Sequence, residues 1–377
     1  NTHIGRMAGS NFCFVFEHNG NIESELEKLL EFSQRPILVG GEVVVLAINV
    51  GVSNSYNQHD QIEDLIHLAE VAQHNATASN IKVSYFTNNM KDEAITSLAL
   101  ENDLRVSLAT NALELHEALD NKEFKLVYQP IVDIQENRVK AFEVLLRWNH
   151  PKRGLVSPAM FIPMAEKINI ITVLGAWIIK RACTVASTWE AGSNGHVPGI
   201  SINIAPRQLV EGDLLLQSLK DAFETTGINP QRVKLEITES EDLDDSMIKL
   251  LDKIKETGCK LSLDDFGTGY SSITNLSSLP VDFVKIDRSF IIDLDSEDCK
   301  IQKHAYRLSK AIIALTDIFK FETIVEGVET DAQLEIVNKL GVRFIQGYYF
   351  SKPMLEEEIL PYLNTVNNNS LMSLQKK

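Results

Sequence analysis

From Phe124 onward, the spacing of hydrophobic residues changes repeatedly between a strand-like and a helix-like pattern. Eight segments show strand-like alternation or short apolar runs, and helix-like spacing of three to four residues lies between most of them. The predicted strands are residues 124–128, 139–148, 199–204, 232–237, 260–264, 282–286, 323–326 and 344–349. The predicted helices are residues 158–166, 173–190, 208–225, 242–257, 299–319 and 332–340. This alternation predicts an α/β fold, a TIM-like (β/α)8 barrel.

The first two predicted strands are joined by residues 132–138, a link too short to contain a crossover helix. Two strands joined by so short a link form a hairpin and run antiparallel. We therefore expect a modified barrel in which one strand is antiparallel to the others.

A smaller α/β domain is predicted for residues 1–107. Strand-like segments at 11–16, 42–50 and 82–86 alternate with helix-like segments at 22–32 and 62–74. Residues 108–121 form a predicted linker helix, because Leu108, Ala112, Leu115 and Leu119 recur at helical spacing. The barrel domain is then expected over residues 122–365, followed by a polar tail at 366–377.

Charge and cysteine content narrow the classes of function. The 377-residue chain has a formal net charge of -16, which disfavours polymeric nucleic acid and anionic membrane surfaces as partners. A small anionic substrate stays possible, since bound cations can reverse the local field. The four cysteines lie far apart, as is typical of reduced cytosolic thiols.

The expected location is the cytoplasm. The sequence has neither an apolar run of about 18 residues nor an opening signal peptide. It begins with Asn1 and reads from the start like the middle of a domain, so we expect a fragment of a longer protein whose N-terminal sensor is missing. Whether that parent protein is membrane-anchored stays open.

Two adjacent carboxylates mark the most informative stretch, residues 260–272. Asp264 and Asp265 end a predicted strand, and Gly267 and Gly269 open a loop directly afterwards. At the carboxyl end of a barrel strand, such residues are typical of an active site. The alternative is a solvated turn, since Asp and Gly are common turn residues.

Other polar residues stand where a buried strand should be apolar, at or near the carboxyl ends of predicted strands. They are Glu143, Asn203, Glu236, Lys285 and Glu326. One buried acid is more often structural than catalytic, but five carboxylates at one end of a barrel would repel each other unless cations lay between them.

Two divalent cations would nearly balance these five carboxylates. Oxygen ligands and an Asn amide suit Mg²⁺ or Mn²⁺ better than zinc. Because paired metals are a known arrangement for phosphodiester hydrolysis, the residues predict a two-metal phosphodiesterase. Lys285 would either orient the water or stabilise developing negative charge.

Residues 122–363 resemble the EAL domain, the family of cyclic di-GMP phosphodiesterases. The motifs that carry the resemblance are Tyr128-Gln-Pro-Ile131, Glu143-Val-Leu-Leu-Arg-Trp148, Phe161-Ile-Pro-Met-Ala-Glu166, Asn203, Leu235-Glu-Ile-Thr-Glu239, Asp264-Asp-Phe-Gly-Thr-Gly-Tyr-Ser-Ser272, Lys285-Ile-Asp287, Glu326-Gly-Val-Glu329 and Gln346-Gly-Tyr-Tyr-Phe-Ser-Lys-Pro353. The implied reaction opens cyclic di-GMP to linear pGpG.

The resemblance also implies roles for single residues. The first of two Mg²⁺ or Mn²⁺ ions would be bound by Glu143, Asn203, Glu236 and Asp264, and the second by Asp264, Asp265 and Glu326. Lys285 would assist the attacking water, Glu239 would hold the loop after Asp265, and Asp287 and Glu329 would support the site. The dinucleotide would contact Gln129, Leu145, Arg147, Gln346 and Gly347, with Arg147 pairing with a phosphate.

The departures from the family pattern leave the implied ligand set complete. Val144 replaces the Ala of the signature and Ala205 stands where Ser is usual, and neither position is a ligand. The complete ligand set therefore implies a competent enzyme. The resemblance also implies a homodimer formed through the barrel. The alternative is a receptor that binds cyclic di-GMP without hydrolysing it.

The first domain resembles the second part of a GGDEF (diguanylate cyclase) domain. Residues 6–12 stand where that family carries Arg-x-Gly-Gly-Asp-Glu-Phe, but here Ser10 and Asn11 replace both acids. The resemblance implies a degenerate domain without cyclase chemistry. An unrelated α/β unit is the alternative, and regulation of the barrel through GTP binding is a further, weaker hypothesis.

Overall fold

The computed structural model describes residues 2–7, 12–16, 22–33, 37–39, 42–44, 48–54, 62–78, 81–87, 123–192, 195–238, 245–268 and 279–368. The chain divides into two compact units, residues 1–102 and 103–377. Among the helices described, none combines the length and the apolar character that crossing a membrane requires.

The first unit contains short strands and two helices. The strands are β1 (Thr2–Arg6), β2 (Phe12–Phe16), β3 (Ile37–Val39), β4 (Glu42–Val44), β5 (Val50–Val52) and β6 (Val83–Tyr85), and the helices are α1 (Glu23–Ser33) and α2 (Ile62–Ala78). The pairs β1–β2 and β3–β4 are antiparallel, whereas β5 and β6 are parallel. A smaller N-terminal α/β unit is therefore confirmed.

The second unit consists of strands and helices in alternation. Its strands are β7 (Phe124–Asp133), β8 (Arg138–His150), β9 (Gly154–Val156), β10 (Gly199–Asn203), β11 (Val233–Thr238), β12 (Lys260–Phe266), β13 (Phe283–Ile286), β14 (Glu322–Val325) and β15 (Phe344–Gln346). Its helices are α3 (Pro158–Lys167), α4 (Ile171–Ser187), α5 (Pro206–Val210), α6 (Gly212–Thr226), α7 (Asp245–Glu256), α8 (Cys299–Ile318), α9 (Asp331–Lys339) and α10 (Glu356–Asn368), with 3₁₀ turns at Pro230–Arg232 and Arg288–Phe290.

Eight of the described strands close into a barrel. Strands β10 to β15 pair in chain order and in parallel, and β8 closes the ring by pairing in parallel with β10. Strand β7 is antiparallel to both of its neighbours, β8 and β15. The predicted modified TIM-like barrel with one antiparallel strand is therefore confirmed.

The two ends of the barrel differ in polarity. Phe283 and Phe344 begin their strands and pack with Ile131, Ala141 and Ile324 in a buried apolar cluster. This cluster lies at the amino end of the parallel strands. Polar side chains lie instead at the carboxyl end of these strands.

Several elements differ from the sequence prediction. The strand predicted over 42–50 is wrong, because β4 and β5 pair with different partners and residues 48–49 lie outside both strands. The helix predicted over 208–225 is divided at Glu211, where Gly212 brings the start of α6 close to Leu250. Helix α10 was not predicted. The predicted linker helix at 108–121 lies outside the described residues, as does the chain after residue 368.

Candidate functional site

Strand register brings the predicted polar residues to one end of the barrel. Asn203 ends β10 and pairs with Glu236 on β11, and Thr238 pairs with Asp264 on β12. Lys285 is the third of four residues in β13, and the amide of Glu326, directly after β14, donates to the carbonyl of Ile286 at 3.0 Å. These positions all lie at or next to the carboxyl end of a parallel strand.

The ammonium group of Lys285 lies at the centre of this end. Its Nζ is 2.9 Å from Glu236 Oε2, 3.2 Å from each carboxylate oxygen of Asp264 and 3.5 Å from Glu143 Oε2. It also contacts Glu326. The Lys285 residue is 1% exposed, so this buried cation faces four carboxylates. We call these five residues the acid cluster.

Amide and hydroxyl groups orient two of the four carboxylates. Asn203 Nδ2 donates to Glu143 Oε1 at 2.8 Å, and Gln346 Nε2 donates to Glu143 Oε2 at 2.6 Å. Ser201 Oγ donates to Glu236 Oε1. Because both oxygens of Glu143 carry hydrogen bonds, its carboxylate has a fixed direction in the acid cluster.

Burial and mutual repulsion shift the pKa values in the acid cluster. Burial raises the pKa of Glu236 to about 7 and that of Glu326 to about 8 against the attraction of Lys285, and neighbouring carboxylates add to both rises. Burial acts in the same direction on Glu143, but Lys285 and the hydrogen bonds from Gln346 and Asn203 hold its pKa below the ordinary value.

The carboxylates have the opposite effect on Lys285. Burial alone would lower its pKa, but Glu143, Glu236 and Glu326 together raise the pKa well above the ordinary value for lysine. Lys285 is therefore a permanent cation near neutral pH. The pKa values of Glu236 and Glu326 stay raised because burial, together with the neighbouring carboxylates, outweighs the attraction of Lys285.

Three carboxylates of the acid cluster are placed to share a metal ion. Glu143, Glu236 and Asp264 each offer an oxygen, and these oxygens lie within 4.8 Å of one another. Among the described residues, Asp265 and Glu326 do not join this convergent triad. A set of hard oxygen donors with excess negative charge fits Mg²⁺ or Mn²⁺.

A bulge in β12 presents the two adjacent aspartates. Leu263 pairs with Val284 and Phe266 with Ile286, so β12 has one more residue than β13 across this stretch. Asp265 has a φ of +54°, in the left-handed region that Asp tolerates better than most residues. Asp264 is half-buried, and Asp265 is exposed at the rim.

The residues predicted to contact a dinucleotide lie beside the acid cluster. Gln129 pairs across the β7–β8 ladder with Glu143, and its Oε1 accepts from Gln346 Nε2 at 3.2 Å. Leu145 and Arg147 follow at alternate positions along β8, both are half-buried, and Arg147 Nη1 donates to the carbonyl of Leu146 at 2.9 Å. These residues therefore lie along β8 from Glu143 and across from it on β7.

Gly347 has a packing role that the sequence did not show. A Cβ on Gly347 would lie 2.0 Å from the carbonyl oxygen of Val328, in the loop that follows Glu326. Val328 is fully buried and its amide donates to the carbonyl of Gln346 at 3.3 Å. Glycine at 347 therefore lets the end of β15 lie directly against the loop that follows Glu326.

We expect Gly347→Ala to destabilise the protein as well as reduce its activity. Since backbone must move to relieve the overlap, the unfolding free energy should fall by about 1–3 kcal/mol. Denaturant unfolding of the variant beside Gly5→Ala, where a Cβ meets no atom within 4 Å, would test this. Unchanged stability in Gly347→Ala would mean that the glycine is not needed for packing.

Two buried residues near the acid cluster were not predicted. Ser201 and Lys234 stand two residues before Asn203 and Glu236 on the same strands, and Lys234 Nζ is 3.8 Å from Glu236 Oε1. Burial lowers the pKa of Lys234 to about 8. The two-residue period of a strand could have identified both. Glu239 lies outside the described residues. Asp287 and Glu329 lie in nearby loops, where Asp287 accepts from the amide of Ser289 and Glu329 pairs with Arg288.

A protein-family comparison matches residues 112–353, more than half of the chain, to the EAL domain. A curated relative, the cyclic di-GMP phosphodiesterase NbdA of Pseudomonas aeruginosa, is 32% identical over 368 residues. That match covers 95% of this chain and 45% of NbdA, so the chain spans less than half the length of this relative.

Solved structures show the same likeness. A complex of the PaMucR phosphodiesterase with c-di-GMP is 34% identical, with a TM-score of 0.59 over 65% of this chain and 98% of the other. A manganese and cyclic di-GMP complex of Klebsiella pneumoniae BlrP1 is 26% identical, with a TM-score of 0.51 over 62% of this chain and 57% of the other.

Proposed function

The chain belongs to the EAL-domain family, and from this premise we propose that its barrel hydrolyses cyclic di-GMP to linear pGpG in bacterial second-messenger signalling. The observation that carries the proposal is the convergence of Glu143, Glu236 and Asp264 around Lys285 at the carboxyl end of the barrel. Relatives named for the same activity and bound to the same dinucleotide support it. Incubation with cyclic di-GMP and Mn²⁺, followed by chromatography of the products, tests it.

The proposed cofactors are two Mg²⁺ or Mn²⁺ ions per site. Glu143, Asn203, Glu236 and Asp264 would hold the first, and Asp264, Asp265 and Glu326 the second. The convergent oxygens support the first ion, and the manganese in the BlrP1 complex supports the choice of metal class. When bound, such ions supply positive charge that offsets the negative charge developing on the phosphodiester.

Lys285 is proposed to stabilise charge rather than accept a proton. Its carboxylate neighbours keep its pKa well above the ordinary value, so it stays protonated near neutral pH. A buried ammonium held by several acids also has little freedom to move. Its fixed positive charge can therefore stabilise negative charge on the attacking water or the phosphoryl oxygens.

The dinucleotide is proposed to lie over the strand ends beside Glu143. Arg147 would pair with a phosphate, with Leu145 next to it on β8. Gln129 and Gln346 form a continuous hydrogen-bonded chain to Glu143 and would contact the ligand with Gly347. This chain would link ligand contact to the direction of the Glu143 carboxylate.

Divalent-cation affinity should rise with pH. Glu236 and Glu326, with pKa values of about 7 and about 8, hold protons at pH 6.5 that a cation must displace. We therefore expect Mn²⁺ to bind on the order of tenfold more weakly at pH 6.5 than at pH 8.5, with release of about one proton or more. Titration calorimetry in buffers of different ionisation enthalpy measures both quantities. Affinity independent of pH, without proton release, would contradict these protonation states.

The N-terminal unit is proposed to be the second part of a degenerate GGDEF domain. The NbdA match covers 95% of this chain and so extends well beyond residues 112–353. The altered signature residues Ser10 and Asn11 lie outside the described residues. The domain boundaries at 107, 121 and 365 and a homodimer through the barrel are proposals that follow from the resemblance. Sedimentation of a fully active monomer would count against the dimer.

A further inference from the structure

We propose that Asp295 is a positioning residue that fixes the direction of Glu326 in the acid cluster. The inference rests on the proposed function of that cluster as a divalent-cation site. Asp295 belongs to the segment after β13, the strand that carries Lys285. It holds the loop after β14, the strand that precedes Glu326.

Glu326 begins the loop that follows β14. It follows the last residue of β14, and the next residue, Gly327, has a φ of +72°. The course of residues 326–331 therefore determines where the Glu326 carboxylate points. We call this segment the Glu326 loop.

The side chain of Gln333 supports the Glu326 loop from within. Its Oε1 accepts from the amide of Glu329 at 2.8 Å and from the amide of Thr330 at 3.3 Å. Gln333 is only 4% exposed. These bonds require the amide oxygen, rather than the amide nitrogen, to face the loop backbone.

Asp295 enforces that orientation. Its Oδ1 accepts from Gln333 Nε2 at 3.1 Å, and its Oδ2 accepts from Thr330 Oγ1 at 2.7 Å. A carboxylate offers only acceptors, so it selects the Gln333 nitrogen for itself and leaves the oxygen for the loop. Removing Asp295 would free both Gln333 and the Thr330 hydroxyl from these bonds.

Asp295 is itself held firmly. The preceding residue, Leu294, is fully buried, and its carbonyl accepts from Gln302 Nε2 at 3.1 Å. A second link between the same two segments, Arg288 to Glu329 at 3.1 Å, joins exposed side chains and is expected to matter less. The bond from the half-buried Asp295 to the buried Gln333 is thus the better protected connection between the segments after β13 and after β14, whereas the bond from Thr330 to Asp295 is exposed.

The test compares Asp295→Ala and Asp295→Asn with the control Asp293→Ala. Asp293 is an exposed acid two residues away in the same segment. We expect Asp295→Ala to bind Mn²⁺ about tenfold more weakly by calorimetry, and the Mn²⁺ concentration for half-maximal hydrolysis to rise by a similar factor. Asp295→Asn, which keeps one acceptor, should lose less, and Asp293→Ala should match the wild type.

The readouts separate positioning from a general loss of stability. A positioning role requires that saturating Mn²⁺ restores hydrolysis and that thermal unfolding in EDTA changes little. Wild-type Mn²⁺ affinity in Asp295→Ala, or a lowered unfolding temperature with unchanged Mn²⁺ affinity, would overturn the proposal. If the wild type failed to hydrolyse cyclic di-GMP while Asp295→Ala still weakened Mn²⁺ binding, the proposed function would fail and the role of Asp295 would stand.

Discussion

Replacing Glu143 with Gln should reduce cyclic di-GMP hydrolysis by roughly 10³-fold or more. Glu143 is buried, accepts hydrogen bonds from Asn203 and Gln346, and contributes an oxygen to the convergent triad. Gln keeps the shape of Glu but removes the charge that a divalent cation requires. Losing one preorganised charged group of this kind typically costs on the order of 10²–10³ in rate, and here the cation affinity would fall as well.

The matched control for this variant is Glu335→Gln. Glu335 is an exposed acid on α9 that pairs with the exposed Lys339, so the same chemical change should leave the rate unaltered. Hydrolysis at saturating Mn²⁺ and calorimetric Mn²⁺ binding measure the two effects. Activity within about tenfold of the wild type would show that Glu143 does not bind an essential cation.

Lys285→Met should be the most destabilising change at the acid cluster. The Met side chain is similar in length, but the variant leaves Glu143, Glu236, Asp264 and Glu326 without their central cation. Breaking a buried ion pair by removing one partner typically costs about 3–5 kcal/mol. We expect a loss of this size in EDTA, and hydrolysis should fall roughly 10³-fold because a fixed charge is missing from the site.

Divalent cations and a second substitution should each restore part of the stability that Lys285→Met loses. Mn²⁺ should restore part of the lost stability, since it can replace positive charge among the same carboxylates. Adding Glu326→Gln should also recover stability without recovering activity, and the exposed Lys339→Met should behave as the wild type. Chemical denaturation with and without Mn²⁺ measures these differences. Equal stability of Lys285→Met and the wild type in EDTA would refute the central role of the ammonium group.

The barrel was predictable because its pattern is local. Strand and helix spacings occur in order along residues 122–365, and the short link between β7 and β8 required a hairpin. The predicted strand bounds also located the acids at strand ends, which closure of the barrel brings together. The N-terminal unit was harder, because the long β-branched run at 42–50 shows no break, although β4 and β5 pair with different strands.

Other features depend on neighbours that a sequence pattern does not identify. The bulge at Asp264 and Asp265 exists only relative to the register of β13. The role of Gly347 depends on the approach of Val328, and that of Asp295 on contacts across 35 and 38 residues of sequence. Loop residues carry no period, so these contacts had no signal in the chain. Ser201 and Lys234 did have one, since both lie in phase with predicted site residues.

The most direct test of the proposed hydrolysis is to incubate cyclic di-GMP with the purified protein in Mg²⁺, Mn²⁺, Ca²⁺ or EDTA and to separate the products by chromatography. Linear pGpG should accumulate with Mg²⁺ or Mn²⁺ and be absent in EDTA. The contradicting result is tight binding of cyclic di-GMP that stays whole in Mg²⁺ and in Mn²⁺, which would make the barrel a receptor rather than a hydrolase.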